Sequence, residues 1–550
     1  MAGHIDRRSF LAGGAALAGG LALGAQVLEE GGAGAVLTNG PGRNGVGAGR
    51  PRRGGSLTIG VNAEEQGFNP ATGRFDNTGF MYARTVFDPL AVVTAKGNVV
   101  PYLAQSVTPN ADYTVWTVTA RPGITFHDGT PLDGAALVQN LAAVYNSALT
   151  GIALKPIIAS YRQSGPLSMQ VTTRHPYVTF PYVLAESQVS YIAAPSMLNA
   201  PNGGTANPVG TGPFKFVEWV PNSHFTATAY PHYWRPGQPY LSSVTFKPLP
   251  DANARAEALQ SGEVDMIHTD EPQQMLQFRG NRSWSYADNS GAMIGSPTSN
   301  CVMLNLAKPP FNNKAMRVAV AKGLNRDQIS KVIELGVNAP STGLFQPGSP
   351  YYKKTTYPAF DPAGARSLVR QIAQQTGKPV TFTLNTLAAP TTIRAAQFVE
   401  QAMGNIGITM KIAEFDQTTI INNALFGSFQ ATEWMQFGAT SPDLNYVWFS
   451  TTTENANGLS INMARNLDPR IESAMLTGTE SPNLTARIAA FGSVNEYLAQ
   501  DLPYLWTTRA TWALVSKPTV MNWNRPTAPD GTPTLANNEG VWWLNQIWIA

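Results

Sequence analysis

Short runs in which apolar and polar side chains alternate are separated along this chain by stretches of helical period. Ser56–Val61 (SLTIGV) and residues 113–119 (YTVWTVT) alternate with period two, as half-buried strands do. The second run ends in an Arg121-Pro122-Gly123 turn. Asp133 stands where an N-cap is expected, ahead of a helix over 135–145. A strand at 244–247 stops at Pro248, and a helix at 252–260 stops at Ser261-Gly262. Further helices are predicted over 310–324 and over 391–403, the latter closed by Gly404. Strands at 380–384 and 408–412 flank that last helix. Strand–helix–strand implies a parallel pair, so the fold class is α/β.

At 550 residues and 43% apolar, the chain can bury several folding units. Charged residues make up only 13%, about half the usual ~25% of globular proteins. The formal charge of +3 is confined to the first 53 residues, where six arginines face three acids. From Gly54 onward there are 32 basic and 32 acidic residues. A neutral body without a basic stripe has no electrostatic route to a phosphate backbone, which argues against nucleic acid as a partner.

Residues 1–35 read as an address. Asp6-Arg7-Arg8-Ser9-Phe10-Leu11 is followed by an uncharged stretch, rich in Gly and Ala, that ends before Glu29. That stretch is too weakly apolar for a membrane span. The paired arginines resemble the twin-arginine (Tat) export signal, making the Tat machinery an expected partner. No cysteine follows, so lipid attachment is not expected, and 36–53 reads as a flexible leader. No later segment reaches ~18 consecutive apolar residues.

The search for chemistry returns mostly absences. Neither H-E-x-x-H, G-x-S-x-G nor a P-loop occurs. The six histidines show no metal-ligand spacing, and the lone Cys301 sits in an apolar run expected to be strand interior. His268-Thr269-Asp270-Glu271 reads as a solvated loop, and His127-Asp128-Gly129 as a structural tight turn. No cofactor, metal or catalytic residue is expected.

Five ordered blocks, spread over about residues 54–545, carry a resemblance. Gly54-Gly55-Ser56-Leu57-Thr58-Ile59 opens them, and Asn69-Pro70 with Val86-Phe87-Asp88-Pro89-Leu90 follows. Next come Arg121-Pro122-Gly123-Ile124-Thr125-Phe126-His127-Asp128-Gly129 and Val209-Gly210-Thr211-Gly212-Pro213-Phe214 through Trp219. The last is Pro309-Pro310-Phe311-Asn312-Asn313-Lys314-Ala315-Met316-Arg317. Together they resemble extracellular solute-binding protein family 5, the peptide- and nickel-type receptors of ABC importers. The glycines of 210–213 are expected to supply unusual backbone angles where the chain crosses between lobes.

The resemblance implies two α/β lobes joined by a hinge and closing on a solute. Lobe I would take 54–297, with an extra subdomain near 91–208, and recover the chain at 505–550. Lobe II would take 298–504. The protein is expected to be an exported, monomeric, non-enzymatic receptor handing its solute to an ABC permease. Alternatives on the same frame are an exported enzyme, a ligand-presenting sensor or chaperone, and a glycan receptor.

Peptide receptors of the family place a Trp, an acid and an Asp-Pro pair late in lobe II. Here that stretch holds Trp434, Phe437 in the expected acidic position, Asp443, Asn445 and Tyr446. Phe68 and Asn69 would join them from lobe I. Receptors for very short peptides clamp the ligand carboxylate with an Arg before the 391–403 helix, where this chain has Thr386. Without either ionic clamp a simple dipeptide is not the expected solute. An oligopeptide or peptide-like compound is, and with no histidine cluster nearby, nickel is not.

Overall fold

A computed structural model describes residues 50–550 apart from 74, 149, 291–296, 456–457 and 539. The expected address and most of the leader lie outside the described residues. Two sheets dominate. The first contains, in spatial order, Ser285–Asp288, Ala513–Ser516, Met266–Thr269, Ser56–Val61, Ser243–Pro248, His224–Ala229 and Phe214–Val220. The second contains Thr409–Phe415, Thr381–Leu387, Ala431–Gln436, Ser299–Leu304 and Tyr504–Arg509. Each has its own buried apolar core, one built around Ile59, Phe225 and Phe246, the other around Met303, Leu384 and Trp506. The mixed α/β architecture in two lobes follows from these separate cores.

Local signals explain the elements. Asp133 accepts the Ala136 amide at 2.8 Å and starts Gly134–Asn146. Asp251 caps Ala252–Ser261, and Gly262 ends it at φ +86°. Thr381–Leu387 and Thr409–Phe415 pair in parallel around helix Pro390–Gly404. A third sheet, antiparallel, is formed by Ala104–Pro109, Val115–Ala120, Ser168–Thr173 and Ile158–Gly165.

The chain leaves the first sheet after Asp288, enters the second at Ser299, and returns between Arg509 and Ala513. The second sheet therefore keeps Tyr504–Arg509, and the return begins near 510 where 505 was expected. The two crossings are tied together. Asn289 Oδ1 accepts the Trp512 amide at 2.8 Å, and the Ala510 amide reaches Thr298 O at 2.9 Å.

Two expectations are corrected. Gly210 and Gly212 do not lie at a lobe crossing and do not have positive φ. They are glycines because the chain packs directly on the Val86–Phe87 backbone: a Cβ at Gly212 would stand 2.5 Å from the Val86 carbonyl carbon. His127 secures this contact, its Nε2 lying 2.9 Å from Gly212 O, while burial pulls its pKa down to about 4. His268 and Thr269 are fully buried in a strand, not in a solvated loop. The sheet and the Trp512 ring enclose the imidazole, whose Nε2 accepts the Asn62 amide at 3.1 Å.

Candidate functional site

Ligands of open α/β sheets bind beyond the carboxyl ends of the parallel strands. In the second sheet, Thr381–Leu387 and Ala431–Gln436 run parallel, and register places Gln436, Ser299 and Arg509 side by side at that end. In the first sheet, Ser56–Val61, Ser243–Pro248 and Met266–Thr269 run parallel, with Ala513 and Asp288 at the corresponding end. The crossings join these two ends, so they face each other. Between them lies a cavity of about 100 Å³ lined by residues of both crossings, by Thr440 and Arg509 of lobe II and by Asn537 and Asn538 of lobe I.

Residues 178–186, in the segment expected to form an extra subdomain, contact the second-sheet half of the chain beside this cavity. The Val178 amide reaches Thr479 O at 3.2 Å. Thr179 Oγ1 donates to Asp443 at 2.7 Å, and Thr440 Oγ1 donates to Glu186 at 2.6 Å. Asp443 is 0% exposed, and Ser441 Oγ donates to its other oxygen. Burial pushes its pKa up to about 7, against the two hydroxyls and the Arg487 charge, which hold it down. Its carboxyl thus joins the lobes through hydroxyls from both.

The other expected site residues separate into three groups. Trp434 and Phe437 are half-buried against the lobe II core, Phe437 tilted on Trp448 at 6.1 Å between ring centres. Trp434 Nε1 is buried with no hydrogen-bond acceptor among the described residues. Asn445 and Tyr446 are buried: Gln436 Nε2 donates to Asn445 Oδ1 at 3.5 Å, and the Tyr446 hydroxyl donates to Glu472. Phe68 and Asn69 belong to the lobe I interior. Phe68, 2% exposed, packs on Tyr82, Trp219 and Phe225, and Asn69 accepts the Ala71 amide and donates to Gly203 O. None of the seven lines the cavity described above.

Reading the sequence missed Arg509, Glu186 and Glu433. Thr386, where a carboxylate-binding Arg was sought, donates to Glu433, whose pKa burial raises to about 7. Cys301 is buried in Ser299–Leu304 and burial raises its pKa, so the thiol stays protonated. Among the described residues no group of three His, Cys, Asp or Glu could hold a metal ion. No helix among them is long and apolar enough to cross a membrane.

A sequence model of the bacterial extracellular solute-binding proteins, family 5 Middle, matches residues 98–458. The glutathione-binding protein GsiB of Escherichia coli (strain K12) is 28% identical over 318 residues, which are 57% of this chain and 60% of that protein. The chain thus matches about 60% of the length of this curated relative. Among solved structures, the periplasmic binding protein DppA of Helicobacter pylori, in complex with the peptide STSA, superposes with a TM-score of 0.79 at 20% identity, covering 91% of this chain and 99% of that one. The oligopeptide-binding protein AppA of Bacillus subtilis, in complex with a nonapeptide, gives 0.77 at 19% identity, covering 91% and 100%.

Proposed function

Because this chain belongs to the bacterial extracellular solute-binding proteins of family 5, we propose that it is a non-enzymatic receptor that closes its two lobes on a peptide-like solute and passes it to an ABC permease. The observation that carries this reading is the facing of two sheet ends across a small cavity, with two chain crossings between the lobes. Such a frame lets binding energy from both walls drive hinge closure. The names of its relatives and structural neighbours favour a peptide-type cargo. In this reading the half-buried rings of Trp434 and Phe437 form the lobe II wall of a wider, open cleft. Asp443 acts as a latch between the lobes, its proton retained by burial. The twin-arginine segment at Arg7-Arg8 directs export, and the mature chain works as a monomer.

The test is small-angle scattering and thermal unfolding of the purified chain before and after adding a tryptic casein digest supplemented with reduced glutathione. A receptor of this kind contracts and gains thermal stability. If neither the radius of gyration nor the melting temperature changes, the reading is wrong.

A further inference from the structure

Arg509 is the one charged residue among the described residues lining the cavity between the lobes. It ends the last strand of the second sheet, its amide held by Ala339 O at 2.9 Å. Its Nη2 donates to Phe345 O at 3.2 Å, while Nε is buried with no acceptor among the described residues. Burial pulls its pKa down to about 10, with the Tyr352 hydroxyl acting in the opposite direction. The polar groups around it are amides and hydroxyls whose capacity is partly committed. Asn537 Nδ2 donates to Trp512 O at 2.9 Å and its Oδ1 accepts the Gly540 amide at 2.7 Å. Glu186 lies against the wall residues Thr440 and Asn538. It is engaged by the Thr440 amide and hydroxyl and by Asn538 Nδ2, not by Arg509.

A half-buried guanidinium whose Nε–H is buried and idle, with no carboxylate in its own wall, is poorly satisfied unless an anion joins it. The position before helix Pro390–Gly404 offers no alternative cation, since it holds Thr386.

We propose that the cavity beside Arg509 receives a carboxylate of the solute, so that the anionic end of the cargo sits at the hinge. This rests on the solute-receptor reading above. At about 100 Å³ the cavity holds a terminal group, not a whole peptide. A guanidinium is suited to the task because its planar fork matches the two oxygens. Being carried on the returning strand, Arg509 also couples anion capture to the crossing that must bend on closure.

The experiment offers the full chain a tryptic casein digest with reduced glutathione, in parallel with the same mixture after methyl esterification of its carboxyls. Bound compounds are recovered by gel filtration and identified by mass spectrometry. Wild type is expected to retain species from the free mixture and at least tenfold less from the esterified one. Loss on esterification of retained peptides lacking Asp and Glu assigns the contact to the main-chain terminus; loss confined to peptides containing them assigns it to side chains, and either supports the proposal. Arg509→Gln should retain at least about tenfold less of the free mixture, the scale of one hydrogen bond to a charged group. Arg509→Lys should recover part of that loss. Equal retention of free and esterified compounds by wild type overturns the proposal while leaving the receptor reading intact. This arm needs no variant to fold. Retention of neither mixture overturns the receptor reading, and the proposal with it.

Discussion

Replacing Asp443 by Asn separates a buried, proton-holding latch from an ionised one. The carboxyl is 0% exposed, and its pKa rises from 3.8 to about 7, with desolvation the largest cause. Below pH 3.8 both the folded and the unfolded chain hold the proton. Between 3.8 and about 7 the unfolded chain releases it and the folded chain does not, so this group makes stability fall as pH rises. Above about 7 the penalty is complete, and a shift of this size corresponds to about 4 kcal/mol. The substituted amide would carry no charge at any pH. Its Oδ1 can accept from Ser441, and the Thr179 hydroxyl can rotate to accept from Nδ2. Asp443→Asn should therefore melt at or slightly below the wild-type temperature at pH 4.5, and above it at pH 8. The gain should reach about 8–16 °C, from about 4 kcal/mol at about 2–4 °C per kcal/mol for a unit the size of one lobe. Differential scanning calorimetry of both proteins from pH 4.5 to 8.5 measures it. A difference that stays constant across that range would refute the assignment of a raised pKa to Asp443.

Other expectations concern closure and packing. Thr179→Val removes the hydroxyl that joins Asp443 to the subdomain, at a cost of about 1–3 kcal/mol to the closed form. Small-angle scattering with bound solute should show a more open average than wild type, and identical profiles would contradict the latch. Gly212→Ala drives a Cβ into the Val86 carbonyl and should cost about 1–3 kcal/mol or more, whereas Gly129→Ala, at φ +86° with open space around it, should cost about 1 kcal/mol. Equal unfolding midpoints for the two in urea would show that the close approach is not what demands glycine at 212. Trp434→Phe removes a buried N–H that has no acceptor among the described residues, so its melting temperature should equal or exceed that of wild type; a drop of several degrees would mean that Nε1 has a partner.

The parts of the fold legible from the sequence were those set by local chemistry. Helix Gly134–Asn146 announced itself through its Asp133 cap, and the parallel pair around Pro390–Gly404 through a change of period from two to 3.6 and back. Features fixed by distant pairing were not legible. Tyr504–Arg509 belongs to the second sheet because it pairs with Ser299–Leu304, some two hundred residues earlier, and nothing within the strand says so. His268 looked solvated because its neighbours Asp270 and Glu271 are acidic, yet sheet pairing buries it. At the site, the family pattern drew attention to Phe68 and Asn69, which the lobe I core absorbs. Arg509 had a signal, a lone cation closing the apolar and threonine-rich run YLWTTR, but its significance depends on the facing wall from Asn537 and Asn538.

Native mass spectrometry of the chain, purified from the cells that make it without denaturation, tests the receptor account most directly. The account predicts one bound peptide-sized mass per monomer, released on mild activation and restored by a peptide digest. A chain that carries no bound mass, and takes up none from the digest or from glutathione, would contradict it.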